Sequence, residues 1–273
     1  MNNQESNKPQ FTHTIAIASG KGGVGKSTIA VNVAISIARN GNKVGLLDAD
    51  VYGPNCHIMM GVNSLPPPQG KTIVPAIAHD VKVISMGLLV GATQPLAWRG
   101  PMLHSAIRQF VEDVDWGEID YLIVDLPPGT GDVQLSVSQT LSLTGGFIVT
   151  LPQAVSIADA RRGLELFRQL HVPVLGVVEN MSYLAMPNGE RLDVFGQGGG
   201  EQLAKDTGVD FIGNVPLDPQ VRMGGDSGNP IVISQPESQA AASLTSIADA
   251  IVSISTIQAE KQQGNSIPIE IIE

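Results

Sequence analysis

The sequence predicts an α/β protein with a doubly wound, mainly parallel sheet, and three observations carry that prediction. Short apolar runs alternate with segments of helical period along most of the chain. The runs lack the polar alternation of a half-solvated strand, so helices must cover both faces of the sheet. The first run, residues 14–19, leads into Gly20-Lys21-Gly22-Gly23-Val24-Gly25-Lys26-Ser27-Thr28, a glycine-rich loop between a strand and an amphipathic segment.

Read in order, strands are expected over residues 14–19, 43–47, 81–86, 121–124, 147–151, 174–178 and 211–212, each a compact apolar run. Helical segments at 27–40, 101–114, 133–141, 156–170 and 201–207 supply the crossovers, and Gly41 stops the first of them. Pro66-Pro67-Pro68-Gln69-Gly70 marks a loop, after which residues 71–78 and 81–86 can pair as a hairpin about His79-Asp80. The last long segment, 237–262, puts Ala241, Leu244, Ile247, Ile251 and Ile254 at helical spacing, so it should pack on the core. One domain is expected over residues 11–262, between a flexible N-terminal tail (1–10) and an acidic C-terminal tail (263–273).

Composition narrows the function classes. With 26 acidic against 16 basic residues, the net charge of −10 repels phosphate backbones and anionic lipid, so neither nucleic acid nor membrane is an expected partner. The single cysteine, Cys56, leaves no second thiol for an internal disulfide or a four-thiolate metal site within one chain. Residues 1–10 are polar and no apolar run nears the roughly 18 residues of a membrane span, so a cytoplasmic protein is expected.

The glycine-rich loop fits G-x-x-x-x-G-K-[ST], in which consecutive backbone N–H groups turn inward onto phosphate oxygens. Lys26 adds a point charge and the Ser27 hydroxyl a magnesium ligand, so a nucleoside triphosphate with Mg2+ is the expected cofactor. Lys21 sits five positions before Lys26, out of reach of the same phosphates, where it can address a nucleotide held by a facing subunit. Strand 43–47 runs into Asp48-Ala49-Asp50, two carboxylates at the sheet edge where open α/β sheets bind ligands. Period-two geometry points both to one side; one can hold a magnesium-bound water and the other orient the attacking water. A second apolar strand ends in Asp125, followed by Leu126-Pro127-Pro128-Gly129-Thr130-Gly131-Asp132, a Walker-B carboxylate leading into a stiff, hinged loop able to sense the γ-phosphate.

Lys21-Gly22-Gly23-Val24-Gly25-Lys26-Ser27 resembles the deviant Walker A loop of the MinD/ParA class. Five further segments narrow the likeness to the Mrp/ApbC iron–sulfur carrier ATPases: Asp48-Ala49-Asp50-Val51-Tyr52-Gly53-Pro54, Trp98-Arg99-Gly100-Pro101-Met102, Asp125 to Asp132, Glu179-Asn180-Met181-Ser182-Tyr183, and Gly224-Gly225-Asp226-Ser227-Gly228. The resemblance implies a homodimer that sandwiches nucleotide, hydrolyses ATP and works in iron–sulfur cluster assembly or transfer with assembly proteins or apo-protein clients. It implies that Lys21 crosses to the partner's ATP, that Lys26 and Asp50 act in catalysis with Asp50 positioning the water, and that Asp48 and Asp125 organise magnesium with Ser27. It makes Asn180 the adenine reader, an amide offering both a donor and an acceptor.

One departure stands out. Cluster-carrying members have Cys-x-x-Cys shortly after the Asn-Met-Ser-Tyr segment, whereas this chain reads Leu184-Ala185-Met186-Pro187-Asn188-Gly189-Glu190. A cubane cluster takes four thiolates, and a symmetric dimer would offer two copies of Cys56 from a different loop, so no cluster ligand is named. The histidines show no metal-ligand spacing, and Met59, Met60 and Met86 read as core filler. Two alternatives stay open: a MinD- or ParA-like positioning ATPase, and an ATP-switched adaptor without cluster binding.

Overall fold

Ile15 and Ile17 of the first strand face one side of the sheet and Ala16 and Ala18 the other, and all four are buried. That two-sided burial is the physical content of the unbroken apolar runs. The computed structural model describes residues 10–89, 100–129, 131–186 and 188–264. Trp98, Arg99, Thr130 and Pro187 of the segments above, and most of both expected tails, lie outside the described residues.

The main sheet has eight strands in the order β10-β7-β6-β1-β5-β2-β4-β3. They are β1 (Gln10–Ser19), β2 (Val44–Asp48), β3 (Ala76–Ala78), β4 (Val81–Ser85), β5 (Glu118–Asp125), β6 (Gly145–Thr150), β7 (Val174–Glu179) and β10 (Phe211–Asn214). Every pairing is parallel except β3 with β4. The expected hairpin is present but short: its first strand holds three residues, and His79 and Asp80 both take positive φ, 50° and 62°, as a two-residue hairpin turn requires. Upstream of it, Ile73 bridges instead to Val114.

On one face lie α1 (Lys26–Arg39) and α10 (Gln239–Gly264); on the other lie α4 (Gly100–Glu112), α5 (Asp132–Thr140), α6 (Ala154–Gln169) and α7 (Gly199–Thr207). Helix α1, wedged between the sheet and α10, buries 11 of its 14 residues, hence its Ile, Val and Ala content. Helix α10 buries Ala240, Ala241, Leu244, Ile247, Ala248 and Ile251, the expected face. Its three large aliphatics contribute roughly 5–9 kcal/mol by burial, enough to hold it against the core. By length and composition the Gln239–Gln262 stretch is also apolar enough to cross a bilayer, although polar residues interrupt it throughout. The helix continues to Gly264 and Gln10 opens β1, so regular structure takes up the inner margins of both expected tails.

Several short elements have no counterpart among the expected ones: α2 (Cys56–Met59), α3 (Met86–Leu89), α8 (Pro219–Asp226), α9 (Ile231–Ser234) and a two-stranded ribbon of β8 (Leu184–Ala185) with β9 (Arg191–Leu192). Gly198 caps the start of α7 in the left-handed region, φ 66°, which gives the Gly198-Gly199-Gly200 run a helix-starting role.

Candidate nucleotide site

β1 sits at the centre of the sheet with β5 and β6 beside it, and the glycine-rich loop leaves its carboxyl end toward α1. The loop is held so closely that two of its glycines are obligatory. A Cβ on Gly20 would come 2.0 Å from the backbone carbonyl carbon of Asp159 in α6. Gly25 caps α1 at φ 82°, and a Cβ there would meet the Asn180 amide at 2.1 Å. Gly22 and Gly23 are exposed, while Val24 is buried.

Asp48 and Asp125 are register partners on adjacent strands β2 and β5, so the two carboxylates emerge side by side at the sheet edge. Both are fully buried. Lys26 Nζ lies 2.6 Å from Asp125 Oδ1, and Ser27 Oγ donates to Asp125 Oδ2 at 2.6 Å. Expected on phosphates, Lys26 pairs its buried ammonium with Asp125, as a desolvated charge must be paired. Burial alone would lower the Lys26 pKa, but the Asp125 carboxylate outweighs it and leaves the ammonium firmly protonated. Asp48 is pushed up to about 7, first by burial and then by the neighbouring Asp125 charge, against hydrogen bonds from Ser85 Oγ and the Asp50 N–H.

Asp50 departs from the expected geometry. The strand ends at Asp48, so period-two alternation does not reach Asp50; its carboxylate instead accepts from the Tyr52 and Gly53 N–H groups, capping the loop that follows. It still lies near enough to Lys26 to strengthen that ammonium's charge. Lys21 is half-buried at the mouth of the loop and makes no ion pair among the described residues.

Beside the phosphate loop is a cavity of about 200 Å3 lined by Thr28, Asn180, Met181, Pro216, Val221 and Met59, among others. Pockets that enclose a whole drug-sized ligand run to roughly 300–1,000 Å3, so this one suits a single ring system. Asn180 donates from Nδ2 to the Val24 carbonyl at 2.9 Å, which turns its Oδ1 away from the loop and fixes the amide. A larger opening of about 780 Å3 between α5 and α6 carries none of these groups.

Three site residues have no role that the sequence alone suggests. Gln134 accepts from the Gly131 N–H and donates to the Pro127 and Gly129 carbonyls, stapling the loop after Asp125. Ser85, register partner of Asp48 on β4, donates to Asp48 Oδ2 and contacts His57 Nδ1. Cys56 is buried against Asp125, with Sγ 3.4 Å from Oδ2. Only Gln134 had a local signal, its place at the third position of a helix.

The oxygen donors Ser27, Asp48 and Asp125 suit a hard cation such as Mg2+. A thiolate-bound cluster does not fit this chain's own residues. The β8–β9 ribbon occupies the segment where the resemblance leads one to expect Cys-x-x-Cys, with Arg191 laid 4.1 Å over the Tyr183 ring and exposed Met186, Asn188 and Glu190 at its turn.

Comparison with known proteins identifies the family. Residues 10–252 match the ParA family model described as an NUBPL iron-transfer P-loop NTPase. An iron–sulfur cluster carrier protein of Synechocystis sp. is 53% identical over 249 residues, 89% of this chain and 70% of that relative. The nucleotide-binding protein of Archaeoglobus fulgidus, solved with ADP and with cobalt, is 35% identical, covers 84% of this chain and 90% of its own, and superposes with TM-score 0.72. The septum site-determining protein MinD of Pyrococcus horikoshii, solved with Mg-ADP, covers 91% of this chain and 99% of its own with TM-score 0.67; at 21% identity it shows the shared fold alone. The strand order, the phosphate loop with its two edge carboxylates and these likenesses together place the chain in the ParA-type family of iron-transfer P-loop NTPases, among the iron–sulfur cluster carrier proteins.

Proposed function

We propose that the chain binds Mg–ATP at this site, hydrolyses it as a homodimer, and serves iron–sulfur cluster assembly or transfer. The observation that carries the reading is the Lys26–Asp125–Ser27 group at the foot of the glycine loop, with a ring-sized cavity lined by Thr28 beside it. The loop from Gly20 to Thr28 cradles the phosphates, Lys26 leaves Asp125 for them, and Asn180 Oδ1 reads the exocyclic amine of adenine. Ser27, Asp48 and Asp125 hold magnesium, which when bound neutralises charge building on the phosphates. Asp50 orients the attacking water, and Lys21 of each subunit reaches the nucleotide of the other. The ADP with which the archaeal structure, a chain 35% identical to this one, was solved supports the nucleotide.

The domain is proposed to span residues 11–262, and the compartment to be the cytoplasm. Because the chain's one thiol is buried, the cluster's ligands must come from elsewhere in the assembly, and an ATP-switched adaptor is the second reading that this single cysteine favours. Turnover tests the dimeric mechanism. Specific activity should rise with protein concentration, and Lys21→Ala should bind nucleotide as a monomer while losing roughly 10²-fold or more in rate; equal turnover in Lys21→Ala and wild type removes the trans-acting lysine. Iron and sulfide that co-purify anaerobically with the dimer support the carrier reading; background iron with ATP-dependent partner binding supports the adaptor.

A further inference from the structure

The loop after β2 delivers one soft ligand into an otherwise hard site. Cys56 opens α2 fully buried, donating its N–H to Asp48 Oδ2 at 3.1 Å and resting its Sγ 3.4 Å from Asp125 Oδ2. One oxygen of Asp48, one of Asp125 and the Cys56 sulfur all lie within 4.8 Å of one another, the only such cluster of ligand-bearing residues among those described. Charge points to what completes it. With the thiol deprotonated by the metal and both carboxylates ionised, the three groups would carry three negative charges, of which Lys26 offsets one and a divalent cation the remaining two.

The donor set decides which cation. Magnesium takes oxygen and keeps its waters, so it has no use for the sulfur. Zinc, cobalt and ferrous iron accept carboxylate with thiolate, and three protein ligands leave a fourth position for water. Outer contacts already orient one of the carboxylates: Ser85 Oγ donates to Asp48 Oδ2 at 2.8 Å and is itself 3.1 Å from His57 Nδ1.

Resting on the nucleotide-site reading above, we propose that Asp48, Cys56 and Asp125 of the nucleotide-free chain bind a thiophilic divalent cation of the zinc, cobalt or ferrous-iron class. The sulfur–metal bond forms as the thiol proton leaves to solvent. Asp125 belongs to both arrangements, so the cation and Mg–ATP compete. Iron-class metal would thereby report directly to the nucleotide switch, without a cluster being bound.

The test is titration of the reduced, metal-free full chain with Co2+ under anaerobic conditions. A thiolate–cobalt bond gives a near-ultraviolet charge-transfer band that carboxylate ligation lacks, and since Cys56 is the only cysteine, wild-type protein reports on it with no substitution. The expected result is a band saturating at one cobalt per chain, bleached by excess Mg–ATP, with Cys56→Ser showing no band and at least about tenfold weaker cobalt binding. Cobalt uptake without the band, no uptake, or a band that survives Mg–ATP in protein shown by calorimetry to bind it overturns the proposal. Calorimetry with Mg–ATP on the same preparation separates the two readings: nucleotide bound with no cobalt band defeats this inference alone, and a cobalt band with no nucleotide binding defeats the nucleotide site alone.

Discussion

Lys26 shows how one side chain serves both stability and ligand binding. It neutralises Asp125 where both side chains are buried, and the same ammonium is the charge a triphosphate would draw away. Lys26→Ala should therefore abolish nucleotide binding and also lower unfolding free energy by about 3 kcal/mol, because a buried carboxylate loses its partner. Denaturant melts and calorimetry on the variant check both; unchanged stability would mean that the pair is not formed in solution. Asp50, which caps its own loop through Tyr52 and Gly53, is expected to affect turnover alone: Asp50→Ala should keep nucleotide affinity within a few-fold while reducing hydrolysis by roughly 10²-fold or more. A single-turnover assay with bound ATP reads this directly. The acidic residues were legible because strand-then-aspartate is a local pattern. The contacts of Ser85 and Cys56 were not, since each is brought to Asp48 and Asp125 only by the pairing of β4, β2 and β5 and by the loop after β2.

The alternation of α1 with its neighbouring strands was readable because long elements repeat their period several times. Four-residue helices such as α2 and α9 complete barely one turn, and the β8–β9 ribbon holds two residues a side, so neither leaves a periodic trace. α2 nonetheless positions the sulfur in the site, and α8 lines the ring-sized cavity, so the least legible elements border the most functional space. Packing between elements yields its own prediction. A Cβ at Gly20 would collide with the α6 backbone, which has no flexible end to move, whereas one at Gly22 would meet only Pro128 Cγ at 3.9 Å. Gly20→Ala should cost roughly 1–3 kcal/mol and weaken nucleotide binding by displacing the loop, and Gly22→Ala should be far milder on stability. Thermal melts of the pair decide it; equal losses would mean that α6 does not brace the phosphate loop.

At the level of the whole molecule, buried ionisable groups set opposing pH dependences. His13 stacks on Tyr121 at 4.8 Å between ring centroids, and burial lowers its pKa despite the nearby Asp120; burial lowers that of His57 as well. A histidine held neutral contributes stability above its unfolded value near 6.5 and loses it as pH falls through that value toward the folded one. Asp48, raised to about 7, contributes in the opposite direction: its share is complete below about 4 and is lost as pH rises through 7. His13→Phe should flatten the acid side of the stability profile between pH 7 and 5, measured by denaturant unfolding; an unchanged slope would show that His13 is not the group responsible.

The architecture and the phosphate loop were thus written in local patterns, while the ion pair, the sulfur beside it and the cavity for a ring come from sequence-distant strands meeting at one edge. Whether that edge grips ATP is the claim on which the functional reading stands. Isothermal calorimetry of the full chain with ATP and Mg2+ tests it most directly. One nucleotide should bind per chain in wild type and none in Lys26→Ala; no heat of binding in wild-type protein, or equal binding in the variant, would contradict it.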